Sequence, residues 1–141
     1  MSHLNFNYSD FTDKDLEKLE RKSSVTSLDI QGTDLTDDGL AHLVPMTSLS
    51  ELRLKDNPQL TDGCIPHLSK LSYLSSIHIE NTAISVVGLR NLLENVGVDQ
   101  IILGSEFNES IEKLLALSAL YPTTEILFKG RGIIFNGQLE E

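Results

Sequence analysis

Val25-Thr26-Ser27-Leu28-Asp29-Ile30-Gln31-Gly32-Thr33-Asp34-Leu35-Thr36-Asp37-Asp38-Gly39-Leu40-Ala41-His42-Leu43 is the stretch that decides the architecture. Leu28 and Ile30 stand two apart, so they point the same way from a short strand. Leu40 and Leu43 stand three apart, the spacing of one helical face. The stretch then recurs. Leu28-x-Ile30 returns as Leu52-x-Leu54, Ile77-x-Ile79 and Ile101-x-Leu103, at steps of 24, 25 and 24 residues. Thr33 becomes Asn57 and Thr82, and Leu35 becomes Leu60 and Ile84. Leu40-Ala41-His42-Leu43 becomes Ile65-Pro66-His67-Leu68 and Leu89-Arg90-Asn91-Leu92. One such unit cannot bury its strand and helix residues alone, whereas stacked units bury them continuously.

Outward from these units the register weakens. Leu4, Phe6, Phe11, Leu16 and Leu19 match the apolar positions of an opening unit whose polar positions have diverged. After the strand ending Ile101-Ile102-Leu103, Glu106 stands where Thr or Asn stood before. Ile111, Leu114, Leu117 and Leu120 predict a longer terminal helix. Thr124–Phe128 predicts a sixth strand. Lys129-Gly130-Arg131-Gly132 between two apolar runs, 126–128 and 133–135, predicts a β-hairpin whose last strand adds antiparallel to the sheet edge. The tail from Gly137 to Glu141 reads as loose. The chain is thus read as one domain: a capping repeat at 1–24, three regular repeats at 25–97, an irregular repeat at 98–121, and a hairpin cap with tail at 122–141.

The pattern Leu-x-x-Leu-x-Leu-x-x-(Thr/Asn)-x-(Leu/Ile)-Thr-Asp-x-Gly-Leu-x-x-Leu resembles the leucine-rich repeat family. It is most similar to the cysteine-containing subtype found in F-box proteins and small bacterial repeat proteins. Three units carry the pattern clearly and two partially. The resemblance implies an α/β solenoid with parallel strands on the concave side and helices on the convex side. The third regular unit departs from it, with Ser85-Val86 in place of Thr-Asp.

Composition excludes several functions. Acidic residues number 21 against 11 basic, a net charge of −10, which disfavours nucleic-acid phosphates as a ligand. No apolar run of about 18 residues is present to span a membrane. The start lacks the basic and apolar segments of a secretion signal, so a cytoplasmic location is expected. The single cysteine, Cys64, allows neither an internal disulfide nor a thiolate-rich zinc site.

Candidate sites fall on three surfaces. Cys64 aligns with Gly39 and Gly88, a small-residue position, so it reads as a buried side chain rather than a nucleophile. No Ser-His-Asp order, phosphate loop or zinc-protease motif is present. His42 and His67 share one helical position in consecutive units. They lack the further ligands zinc needs, and no EF-hand spacing is present, so no metal or other cofactor is expected. The Thr-Asp pairs at 12–13, 36–37 and 61–62 suit helix starts, where Thr caps and Asp meets the positive helix end. Asp10, Asp34, Asp38 and Asp56 are left over and would form an acidic rim, with Asp34, Asp38 and Asp56 its expected partner-binding residues.

Strand residues between the core positions form columns on the concave side. One column reads Asn5, Asp29, Arg53, His78, Ile102 and Leu127, and a second includes Gln31, Lys55, Glu80 and Lys129. A third includes Glu51. Column neighbours such as Asp29 and Arg53 would form ion pairs worth under about 1 kcal/mol each. Ile102 and Leu127 beside Arg53 suggest a binding surface instead, since mixed apolar and Arg patches make hot spots. The partner-binding residues expected are Asp29, Gln31, Glu51, Arg53, Lys55, His78, Glu80 and Ile102.

These residues and the resemblance together imply a non-catalytic protein-protein interaction module with no small-molecule substrate. Its partner is expected to be another, basic protein. A cytosolic inhibitor of the immunity-protein kind fits the small size and acidity. The alternative is an adaptor or scaffold subunit of a ubiquitin-ligase-type assembly, although no F-box-like segment precedes the repeats.

Overall fold

Eight strands run side by side in chain order in a computed structural model that describes residues 2–141. Met1, counted in the opening repeat, lies outside the described residues. The strands are β1 (Ser2–Asn5), β2 (Val25–Asp29), β3 (Glu51–Arg53), β4 (Ser76–His78), β5 (Gln100–Leu103), β6 (Glu125–Phe128), β7 (Gly132–Phe135) and β8 (Gln138–Glu140). The helices are α1 (Asp13–Lys18), α2 (Ile65–Leu68), α3 (Val86–Asn95) and α4 (Ile111–Leu120). The chain is therefore mixed α/β. Strands β1 to β6 pair in parallel, and β6–β7 and β7–β8 pair antiparallel.

The register follows the repeat. Leu4, Leu28, Leu52, Ile77, Ile101 and Ile126 are successive partners across the parallel strands. From Leu28 onward they are fully buried in one apolar cluster with Leu40, Leu43, Leu68, Leu89, Leu92 and Leu114. Each such side chain contributes about 1.5–3 kcal/mol by leaving water. After β1 to β4 the chain turns through a left-handed residue: Tyr8, Gly32, Asp56 and Asn81 have φ between 52° and 59°. Asp and Asn tolerate that region better than most side chains.

Turn chemistry joins the second and third units. Asn57 is fully buried. Its amide donates to the Ile30 and Leu54 carbonyls at 2.9 and 2.8 Å. Its Oδ1 accepts from the Thr33 N–H at 2.9 Å and from the Thr33 hydroxyl at 3.2 Å.

Two expectations need correction. The repeats do not all carry an α-helix: Asp38–Leu43 is a 3₁₀ turn, whereas the 3₁₀ turn Asp62–Cys64 leads straight into α2. Pro45 has no N–H with which to close an α-helical bond onto Ala41. The Ala41 carbonyl instead takes the Val44 N–H at 3.2 Å, the tighter i to i−3 bond. The tail is also not loose, because Gln138–Glu140 forms β8 against β7. The Gly137 N–H donates to the buried Ser118 hydroxyl of α4 at 3.0 Å, which pins that turn.

Candidate functional site

The sheet has one face turned into the core and one left open. Alternation along each strand puts a continuous row on the open face. Asn5, Asp29, Arg53, His78, Ile102, Leu127, Ile133 and Glu140 are cross-strand partners in turn. His3, Ser27, Glu51, Ser76, Gln100 and Glu125 form the row beside it. The structure thus brings Asp29, Glu51, Arg53, His78 and Ile102 onto one surface. Gln31, Lys55 and Glu80 follow two residues beyond Asp29, Arg53 and His78.

The pairing within this surface differs from a ladder of exposed ions. Asp29 is 3% exposed and does not pair with Arg53. Its carboxylate accepts from the Gln31 side-chain amide at 2.8 and 2.9 Å and from the Gln31 N–H at 3.2 Å. Arg53 turns to Glu51, with Nη2 3.4 Å from Oε1. The Ser27 hydroxyl donates to the same Glu51 oxygen at 3.0 Å. The buried Arg53 Nε has no hydrogen-bond partner among the described residues. Ile102 is 3% exposed, so it is no surface anchor: it lies between its strand partners His78 and Leu127 and is shut off from water.

Glu80 is enclosed as deeply as Asp29, at 3% exposure. Lys129, 49 residues along the chain, donates from Nζ to Glu80 Oε2 at 2.6 Å. His78 Nδ1 stands 3.7 Å from Oε1, an oxygen with no hydrogen-bond partner. Burial pulls the His78 proton affinity below the usual histidine value against the pull of Glu80, so the ring is neutral at neutral pH.

Exposed apolar side chains cluster on the same face at its C-terminal end. Ile133 and Phe135 are 38% and 47% exposed, while Ile134 between them is fully buried. Ile133 pairs with half-buried Leu127. These hairpin residues were absent from the expected binding set. Their signal was alternation about Ile134, which fixes which residues of the cap strand face outward.

The three aspartates of the expected acidic rim differ in exposure. Asp34 and Asp38 are exposed. Asp56 is half-buried and accepts from the Tyr8 hydroxyl at 2.5 Å and the Asn81 amide at 3.1 Å. The Tyr8 bond, more than any other cause, holds the Asp56 carboxyl below the usual carboxylate range. Asp13, Asp37 and Asp62 act differently from plain helix-start charges. Each accepts from the backbone N–H and hydroxyl of the next unit's cap residue: Asp13 from Thr36, Asp37 from Thr61 and Asp62 from Ser85. The last rung reverses, since Val86 has no carboxylate and Glu109 of the following unit accepts from the Val86 N–H at 2.6 Å. Beside that rung a cavity of about 390 Å³ separates the loop from Asn81 to Ser85 from the loop from Gly104 to Glu109.

The glycines explain the ladder's tightness. A Cβ at Gly39 or Gly88 would collide with the Asp13 or Asp62 carboxylate. In the third unit a Cβ at exposed Gly63 would approach the Asp37 carboxylate, while Cys64 keeps the buried position that Gly39 and Gly88 hold. Cys64 is fully buried, and burial pushes its thiol up to about 12, the opposite of an activated nucleophile. His42 stands 3.4 Å from Glu17. No group of three or more metal-ligating side chains occurs among the described residues. Nor is any helix there long and apolar enough to cross a membrane.

The family described as Leucine Rich repeat matches residues 21–44, which span one unit from before β2 through the 3₁₀ turn at Asp38–Leu43. The match supports leucine-rich repeats in this chain, a fold that generally binds other proteins and is generally non-catalytic. No curated protein matches the chain.

Proposed function

We propose that this chain is a leucine-rich-repeat solenoid of the cysteine-containing subtype, and that the open, concave face of its sheet binds a basic protein. The observation that carries the reading is the exposed pair Ile133 and Phe135, with Ile133 in register with Leu127, on the face that also bears Arg53, His78 and Glu80. An apolar patch rimmed by charges is the composition of a binding hot spot. The net charge of −10 favours a basic partner. The role is that of a cytoplasmic inhibitor of the immunity-protein kind, with an adaptor subunit of a ubiquitin-ligase-type assembly as the alternative.

Native co-purification tests the role. Recovery of one stoichiometric basic enzyme supports inhibition, and recovery of ubiquitin-ligase subunits supports the adaptor. The surface is tested with Arg53→Glu plus Phe135→Asp, which leaves the core untouched. Ile102→Asp is unsuitable because Ile102 is buried. The paired change is expected to weaken binding by at least about 2 kcal/mol. If affinity stays constant while Asp34→Asn plus Asp38→Asn slows association, the site lies on the acidic loops instead.

A further inference from the structure

We propose that the open face holds a two-part seat for an arginine beside an apolar side chain, in which the partner's guanidinium takes the Glu80 carboxylate from Lys129. This rests on the reading of the open face as a protein-binding surface and names the chemistry it recognises.

The Glu80 carboxylate is half satisfied. Oε2 takes the Lys129 ammonium at 2.6 Å, while Oε1 has no hydrogen-bond partner. A buried acceptor left unpaired is costly. An ammonium is a point donor, whereas a guanidinium presents two parallel N–H groups that match both oxygens of a carboxylate. His78 does not fill the place, because its Nδ1 stops at 3.7 Å from Oε1.

Lys129 is built to leave. Its side chain is 48% exposed, against 4% for Glu80. It stands at the end of β6, just before Gly130 in the hairpin turn. Between Glu80 and Lys129 the intervening strand contributes Gly104, which has no side chain of its own. The Glu106 carboxylate lies against Gly104 and adds a second negative charge to the path of an incoming cation. The apolar half adjoins this place. Leu127 stands two residues before Lys129 on the same side of the strand and pairs with Ile133, while Phe135, further along the antiparallel β7, lies at the Glu125 end of the same outward side. An extended segment carrying a leucine two residues from an arginine presents both groups on one side, in the spacing of Leu127 and Lys129. Charge favours such a segment over a second copy of this chain, since two copies would each bring a net charge of −10 to the contact.

The test uses the full chain and two synthetic probes, a seven-residue peptide alternating leucine and arginine about threonines and its copy with lysine for arginine. Calorimetry is expected to show the arginine peptide binding at least about fivefold tighter than the lysine peptide. Glu80→Gln is expected to abolish that preference. Lys129→Met, at an exposed side chain, is expected to strengthen arginine-peptide binding, and it keeps the test decisive if Glu80→Gln fails to fold. Ile133→Ser, at the exposed partner of Leu127, is expected to weaken both peptides about tenfold. Equal binding of the two peptides, unaltered by Lys129→Met, overturns the arginine seat. Concentration-dependent dimers that Phe135→Ser abolishes overturn the proposed occupant. A co-purified partner lost on Arg53→Glu plus Phe135→Asp yet indifferent to Lys129→Met and Glu80→Gln leaves protein binding standing and removes this seat alone. Indifference to all of them removes both.

Discussion

Replacing Asn57 by Ala tests whether side-chain bonds between turns hold the units together. Asn57 is fully buried, and its side chain serves groups from two loops. Truncation removes the amide donor of the Leu54 carbonyl and the acceptor of the Thr33 N–H. The Ile30 carbonyl keeps the Thr33 hydroxyl at 3.1 Å, so it is not stranded. Two buried backbone groups without partners, at roughly 1–3 kcal/mol each, give a destabilisation of about 2–6 kcal/mol. The next unit supplies the control. Thr82 holds the equivalent place, where its hydroxyl donates to the Ile79 carbonyl at 2.8 Å. Thr82→Ala should therefore cost only about 1 kcal/mol. Urea unfolding followed by circular dichroism measures both, with the slope m reporting whether the unfolding unit is unchanged. A loss below about 1 kcal/mol for Asn57→Ala at unchanged m would refute the argument, because the stranded groups would then have found other partners.

Three further outcomes follow from the loops and core. Gly39→Ala is expected to destabilise by about 1–3 kcal/mol, since the new methyl collides with the Asp13 carboxylate, and Asp13→Ala in the same chain should recover part of that loss. Tyr8→Phe is expected to raise the Asp56 carboxyl toward its ordinary value by NMR titration. With the Asp56 value depressed in the folded state, its contribution to stability is present above the ordinary carboxylate range and is lost as pH falls through the depressed value; in Tyr8→Phe that acid-side loss should shrink. Cys64 is expected to resist alkylation in the native protein at pH 8 and to react on unfolding, and rapid native labelling would contradict its burial.

The strands were legible because period-2 alternation and a 24-residue step are properties of sequence alone. Leu28, Leu52, Ile77 and Ile101 pair where the repeat puts them. The helical segments were less legible: an i, i+3 apolar pair is common to α and 3₁₀ turns, and Pro45 decides between them through one missing N–H. Strand β8 carries a single inward apolar residue, Leu139, too little for a periodic signal. The open face was readable as a list of residues, since alternation assigns Arg53, His78 and Ile102 to one side. Their burial was not. Ile102 is enclosed by neighbours on two strands, and Glu80 by a lysine 49 residues away. Sequence columns gave Asp29 to Arg53 by adjacency. The structure instead gives it to Gln31, two residues along its own chain, where a side-chain amide can reach both carboxylate oxygens.

The proposed site lies where the regularity of the chain stops, and the two facts are linked. Through the first four units the Asp-to-cap bonds all point forward, so each unit is clamped to the next by the same rung. The Ser85-Val86 departure ends that series, Glu109 reaches backward, and the loops on either side part around a cavity. From there on, the outward positions are no longer filled by the repeat's own pattern. Gly104 brings no side chain of its own to the column between Glu80 and Lys129, the Glu106 carboxylate lies against it, and the antiparallel cap sets Ile133 opposite Leu127 with Phe135 further along the same side. A hairpin strand that served only to close the sheet edge could present polar residues on its outer face at no cost to the core, as Gln138 and Glu140 do on β8. Two large apolar side chains left in water on β7 run against solubility. On the same face as a half-satisfied buried carboxylate, they are accounted for by a partner that covers both.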